Sequence, residues 1–390
     1  MYINFWYPMA VSDELTDQPI KVRCMGLDFV VFRSDDGTAN CLSNTCIHRG
    51  GSLAGGKLHG DRIACPYHGW QFTGDGACHK IPSLGQDARI PARARIDAYP
   101  VQEKFGIIFA FLGDVPEAER PPLLEVAEAG QDGWRQTLQH YELKSNYQRS
   151  VENGLDPAHN EFVHDTHGFQ GENEAYKVNE MRIEERDEWG RGFWHTFNSP
   201  KLPEGEMRKL RDYEGDLEAG TGHHGPNHLW TYIHVTPENW IHQYAWERPI
   251  DDETTYIYLV TARNCALEPE RDELIKERNW YVAKQDIVIV EKLHPVITPE
   301  TNTKEFMTPS DQVIVTYRDK LKEWDRRGWR LDFDQVERDA KKVAYAIPGP
   351  ERRTHKGWVL DAAPVVAADT ARSELDIAGE SPRQAGVSAA

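Results

Sequence analysis

Apolar and polar positions alternate from Ile20 to Cys24, and Phe29 to Phe32 is a continuous apolar run. With Asp35-Asp36-Gly37 as a turn signal before Cys41, these pieces predict antiparallel strands. Glycines then crowd the next stretch, at 50, 51, 55, 56, 60, 69, 74 and 76, which predicts tight loops rather than long elements. Gly106 to Leu112 is a second apolar run and predicts a buried strand that closes this β-rich unit. The Pro- and Glu-rich passage Val115 to Glu128 marks a boundary near residue 120. Beyond Trp134 the spacing changes. A short helix is expected within Val151 to His164, with Asp156 as N-cap and Pro157 in the first turn. Strands follow at Phe193 to Phe197 and through Leu229 to Ala262. A long helix is predicted from Glu268 to about Leu293, and another runs from a Ser310 cap to Arg327.

This pattern gives an α+β chain: a small β-rich domain over 1–120, then a larger α+β domain over 121–361 with an antiparallel sheet and helices. The Ala- and Ser-rich stretch 362–390 reads as a disordered tail. A length of 390 residues suits two or three domains, and 39% hydrophobic content supports a folded core. The net charge of −18 argues against a nucleic-acid or anionic-membrane role. No apolar run approaches the ~20 residues of a membrane span, and the N-terminus lacks a signal-peptide pattern. Six cysteines in a chain this long point to a reducing compartment, so a soluble cytoplasmic protein is expected.

The strongest chemical signal is Cys46-Ile47-His48, followed after sixteen residues by Cys65-Pro66-Tyr67-His68. Each half offers one thiolate and one imidazole. Two such loops can give both cysteines to one iron and both histidines to another, the division a Rieske [2Fe–2S] centre requires. Gly50, Gly51 and Gly69 permit tight loops whose N–H groups face cluster sulfurs, with Arg49 and Tyr67 as candidate neighbours. A single zinc on two cysteines and two histidines is the competing reading, but zinc fingers pair like with like. Cys24, Cys41 and Cys265 read as buried thiols, and Cys78 is a reserve ligand. The strings CIHRG and CPYHGWQF, preceded by NFWYPM, resemble the Rieske domain of Rieske non-haem iron oxygenases.

A reaction centre is sought in Asn146 to His164. Two histidines and a distant carboxylate make the facial triad that leaves positions open on Fe(II), and His159 and His164 are the histidine candidates. On an ideal helix they lie ~140° apart, so convergence needs a bulge or a helix ending near Phe162; His167 is a rival. The segment resembles the family's N-x5-E-N-x2-D-x2-H-x4-H pattern. That resemblance implies iron on His159 and His164, with Asp156 bridging to the Rieske histidine of a neighbouring subunit. Asn153 is a further candidate beside the metal, although a turn at a helix N-terminus would also explain it. Asp286 lies in an apolar run, where burial would demand a strong partner; the resemblance makes it the third ligand, with Glu291 as fallback.

The resemblance runs from Phe5 to about Arg327. It implies a terminal oxygenase using O₂, with electrons from a reductase or ferredoxin and NAD(P)H acting only through that reductase. The expected substrate is a small hydrophobic ring compound, to be hydroxylated, dihydroxylated or demethylated. The chain length resembles homotrimers without a small partner chain, and ENGLDPAH resembles the carbazole and ketosteroid branch. Carbazole-type chains have one residue fewer between the two histidines, so substrate is left open. CPYHGW with Lys80 to Ser83 also resembles a chlorophyll-pathway branch. The aromatics Trp230, Tyr232, Trp240, Tyr244, Trp246, Tyr256 and Tyr258 are expected mostly in core, the remainder lining a substrate pocket. His223, His224, His228, His234 and His242 read as packing or loop residues. The rival readings are an electron carrier without mononuclear iron and a colourless zinc scaffold.

Overall fold

The computed structural model describes residues 1–86, 88–202, 204, 208, 211 and 216–368. Its first unit contains β1 (Phe5–Val11), β2 (Ile20–Cys24), β3 (Leu27–Arg33) and β4 (Ala39–Ser43), then the short β5 (Lys57–His59), β6 (Arg62–Ala64), β7 (Gln71–Thr73) and β8 (Cys78–Lys80). β9 (Ala98–Tyr99), β10 (Val101–Lys104) and β11 (Ile107–Leu112) complete it. Strands β2-β3-β4-β9 form one sheet and β5-β6-β7-β8 a second; β1-β11-β10 form a third. All six residues of β11 are buried, because the strand has a core on each face. Ile108, Ala110 and Leu112 join the core of the first unit, while Ile107, Phe109 and Phe111 meet Trp230, Tyr244 and Trp246 from the second. A strand buried on both sides reads as a continuous apolar run, as this one does.

The second unit is built on an antiparallel sheet in the order β12-β18-β17-β16-β15-β14-β13. Its strands are β12 (Arg135–Leu143), β13 (Arg182–Asp187), β14 (Gly190–Phe197), β15 (Leu217–His224), β16 (His228–His234), β17 (Trp240–Pro249) and β18 (Thr255–Arg263). Alternation sends Trp230, Tyr244, Trp246 and Tyr258 to the face against β11. Leu229, Thr231, Gln243 and Ala245 occupy the opposite face, under the helices. These four are core residues, as expected for most of the aromatics here, and none faces the helices. The five histidines of this region lie on strands rather than loops, four of them buried.

The helices among the described residues are α1 (Tyr147–Gly154), α2 (His159–Val163), α3 (Asp272–Val290), α4 (Gln312–Arg326) and the short α5 (Phe333–Asp339). The short helix expected after Asp156 is α2, which starts at His159 without a side-chain cap, and a second, unexpected helix, α1, precedes it. Asn146 caps α1, accepting from the Gln148 N–H at 3.0 Å. Asp156 sits in the break, where Pro157 cannot donate a helical N–H and the Asp156 carboxylate accepts from the Ala158 N–H at 2.7 Å. Helix α4 is entered through Thr308, which forms a capping box with Asp311 in place of the expected Ser310 cap. Arg318 of α4 holds Glu152 of α1 through two bonds of 2.6 and 2.7 Å.

The chain then returns to the first unit. Arg352 makes two bonds of 2.6 and 2.8 Å to the fully buried Asp97, and the Tyr99 hydroxyl donates to the Ile347 carbonyl. The expected tail does not begin at 362: Ala363 is buried and donates to the Ala346 carbonyl, and Val366 donates to that of Arg330. Residues 369–390 of that expectation lie outside the described residues.

Candidate metal centres

The loops after β4 and after β6 have the same backbone pattern. In the first, the Cys46 N–H donates to Gly51 and the Gly50 N–H to Cys46; in the second, Cys65 donates to Trp70 and Gly69 to Cys65, all at 2.8–2.9 Å. Gly50 and Gly69 take φ of +70° and +71°, a conformation that favours glycine. The shared turn buries both thiols and leaves both imidazoles at the surface, their centroids 4.4 Å apart. His48 stacks on Trp70 and Tyr67 leans on His68, while Arg49 is exposed. A Cβ on Gly51 would lie 2.8 Å from the Cys65 sulfur, so only glycine leaves the sulfur room. Burial pushes the Cys46 thiol up to about 12, so a thiolate there needs a cationic partner. Paired interior sulfurs and paired surface imidazoles fit a [2Fe–2S] group. A single zinc would need all four donors around one ion. Cys78 packs in the same core with its thiol on the Lys80 carbonyl.

The second centre forms where the helix break meets α3. His159 opens α2, and His164 follows its last residue in extended backbone, φ −108° and ψ 111°. That helix ending brings the two rings to 5.2 Å, which an unbroken helix would not do. Asp286 comes from the buried side of α3. Its Oδ1 lies 3.6 Å from His159 Nε2 and 3.2 Å from His164 Nε2, and the donor atoms of the three lie within 4.8 Å of one another.

The outer nitrogens are already committed. His159 Nδ1–H donates to the Asp156 carbonyl at 2.6 Å and His164 Nδ1–H to Gln285 Oε1 at 2.9 Å. Both Nε2 lone pairs therefore face Asp286, the arrangement that second-sphere partners impose on metal-binding histidines. Asn153, at the C-terminal rather than the N-terminal end of its helix, donates to Asp286 Oδ1 at 3.1 Å. Burial alone would raise the Asp286 carboxyl, but His164, His159 and Asn153 hold it below its ordinary value. Burial disfavours charge on His164 too, yet Asp286 outweighs it and raises that imidazole. His159 is lowered by burial. Two imidazole nitrogens and a carboxylate oxygen, all buried or half-buried, are a donor set suited to Fe(II).

His167 is buried beside His164 but stays outside the triad, its Nδ1 against the Thr166 hydroxyl. Glu291 is also outside it and accepts from the Lys144 N–H. The carboxyl of Asp156 is raised by burial, with His159 opposing. Gln285 was not anticipated; its only sequence signal is adjacency to Asp286. Glu247 was not anticipated either. It is fully buried, accepts from the Ser150 hydroxyl at 2.7 Å and has a second oxygen without a partner among the described residues.

The triad opens on a cavity of about 170 Å³ lined by Asn153, Phe193, His195, Ile233, Gln243 and Val282, among others. Gly154 also lines it, and a Cβ there would lie 2.7 Å from Leu229 behind it.

Residues 5–100 match the Rieske [2Fe-2S] domain, and residues 143–327 the vanillate O-demethylase oxygenase C-terminal domain. The chain is 31% identical over 199 residues to the chloroplastic protein TIC 55 of Arabidopsis thaliana, covering 50% of this chain and 36% of that protein. It is 29% identical over 257 residues to the 5,5'-dehydrodivanillate O-demethylase oxygenase subunit of Sphingobium sp. (strain NBRC 103272 / SYK-6), covering 64% and 56%. The chain thus spans between about a third and a little over half of these relatives' lengths. Among solved structures, Pseudomonas putida CBB5 NdmA with caffeine superposes with a TM-score of 0.68 at 22% identity, over 83% of this chain and 91% of that one, a likeness of fold. No helix among the described residues is long and apolar enough to cross a membrane.

Proposed function

We infer that this chain, which joins a Rieske [2Fe–2S] domain to an oxygenase C-terminal domain as the alpha subunits of Rieske non-haem iron oxygenases do, is the terminal oxygenase of such a system. The observation that carries this is the convergence of His159 Nε2, His164 Nε2 and Asp286 on one point beside a cavity. An electron carrier would have no use for such a triad.

In this reading Cys46 and Cys65 hold one cluster iron, His48 and His68 the other, and His159, His164 and Asp286 a mononuclear Fe(II). Once bound, that Fe(II) supplies the site at which O₂ is activated beside the substrate, using electrons relayed from the cluster. The polypeptide's own part is orientation. Asp156 and Gln285 fix the imidazole tautomers, Asn153 steadies the carboxylate, and the cavity walls hold a hydrophobic ring and keep bulk water out. The exposed His48–His68 edge lets a reductase or ferredoxin approach. We further propose that the half-buried Asp156 carboxylate, beside His159, meets the same edge of a neighbouring subunit in a homotrimer. All six cysteines are unpaired, consistent with a cytoplasmic location. The product is a hydroxylated, dihydroxylated or demethylated ring.

Iron and sulfide counts with EPR after dithionite reduction test this. About three irons and two sulfides per chain, with a low-average-g signal, are expected. His159→Ala should leave two irons and an unchanged signal. Wild-type protein that stays at two irons after Fe(II) reconstitution would make it an electron carrier, and zinc without a signal would reject both.

A further inference from the structure

Beside the triad cavity lies a second one of about 330 Å³, and His167 and Val282 line both. Its walls are largely apolar, with Leu202, Val235, Ile241 and Leu274, yet two guanidinium groups, Arg278 and Arg211, also line it. Arg211 is spent on neutral acceptors, the Thr166 carbonyl at 2.9 Å and the Pro200 carbonyl at 2.6 Å. Arg278 makes one long bond, 3.3 Å, to Asn279 Oδ1. Among the described residues no carboxylate pairs with either; Glu277 also lines the cavity but is exposed and bonds to neither.

Two like charges facing one apolar space repel each other, and burial together with Arg211 lowers the Arg278 guanidinium to about 10, still charged at neutral pH. Two guanidinium groups lining one apolar space suit an anion, and a planar carboxylate matches their donor geometry.

We propose that the substrate is a ring carboxylate whose carboxyl group is held by Arg278 and Arg211 in this second cavity, while its ring extends past His167 and Val282 to the triad. This rests on the oxygenase reading and supplies the substrate class which that reading leaves open. The carboxylate offsets the paired guanidinium charge, and its distance from the metal donors selects the ring position that reacts.

Equilibrium binding to the anaerobic holoprotein without reductant tests the proposal independently of turnover. The probes are the three methoxybenzoates and their matched methoxybenzamides, measured by calorimetry. At least one acid should bind tenfold or more tightly than its amide, the size expected for a buried charge-assisted bond. Arg278→Gln should abolish that preference and Arg278→Lys retain part of it, each with an unchanged Rieske EPR signal. Should Arg278→Gln fail to fold, Arg278→Lys and Arg211→Gln carry the comparison. Equal binding of acids and amides, no binding by any acid, or an intact preference in Arg278→Gln would overturn it. A carboxylate preference in a protein with only two irons would overturn the oxygenase reading alone; three irons with no preference would overturn this one alone.

Discussion

Gln285→Leu isolates what the ring-orienting partner contributes, because Gln285 touches His164 and never the metal position. In the wild type, Gln285 Oε1 accepts the His164 Nδ1–H at 2.9 Å. Gln285 is itself held by Asp165, which accepts from its amide at 3.1 Å and from the Tyr281 hydroxyl at 2.6 Å. Leucine has similar bulk and no acceptor. The His164 side chain is 3% exposed, so water does not readily replace the lost partner. An unsatisfied buried N–H costs about 1–3 kcal/mol, or roughly 5- to 150-fold in an equilibrium constant. The neutral ring can escape that cost by moving its proton to Nε2, where Asp286 waits at 3.2 Å. That tautomer blocks the nitrogen the metal needs, so the penalty falls on metal binding. We expect Fe(II) affinity at the mononuclear site to fall about 10- to 100-fold, the usual range for such partners. The assay is anaerobic Fe(II) titration of protein stripped of mononuclear iron, with the Rieske EPR signal as an internal control for folding. Gln285→Glu, which keeps an acceptor, should lose less. Wild-type affinity in Gln285→Leu would refute the reasoning, as would a loss equal to that of His164→Ala.

Gly51→Ala should sharply reduce the sulfide count and Rieske signal, because its Cβ would lie 2.8 Å from the Cys65 sulfur; Gly55→Ala, whose nearest contact would be 3.8 Å, should keep both, and the opposite order would be incompatible with the loop packing. Burial raises the Glu247 carboxyl from its ordinary 4.5 to about 8. Between those values the folded state holds a proton that the unfolded state has lost, so stability falls as pH rises, by about 1.4 kcal/mol per pH unit at most, and levels off above about 8. Glu247→Gln should remove that slope and be more stable than wild type near pH 8; denaturant melts across pH 5–8 with parallel wild-type and variant curves would contradict it.

Much of the site was legible because it lies in short local patterns. A thiolate and an imidazole two or three residues apart, repeated once, leave few chemistries open. The requirement for a helix to end near Phe162 followed from 100° per residue, and α2 ends at Val163. The break at Asp156 was missed since an Asp before a Pro reads equally well as a helix start or as an Asx turn. The resolution came from Asn146, which caps an earlier helix. The cap at Thr308 was missed for a similar reason, with two hydroxyl residues lying two apart and only the packing of the turn deciding between them.

What the sequence determined by itself was which residue types sit together locally: two matched cluster loops, a histidine pair, and strands that alternate. Period two says that Trp230 and Thr231 face opposite ways, but not which way is inward to the reaction. That was decided by β11, whose Ile107, Phe109 and Phe111 claim the aromatic face and leave Thr231, Ile233 and Gln243 to the cavity. Asp286 meeting His164 across 122 positions, Gln285 orienting the ring, and two guanidinium groups sharing an apolar pocket were likewise decided only in three dimensions. Each depends on which faces of α3 and the sheet are pressed together, and burial of apolar surface, not local spacing, settles that.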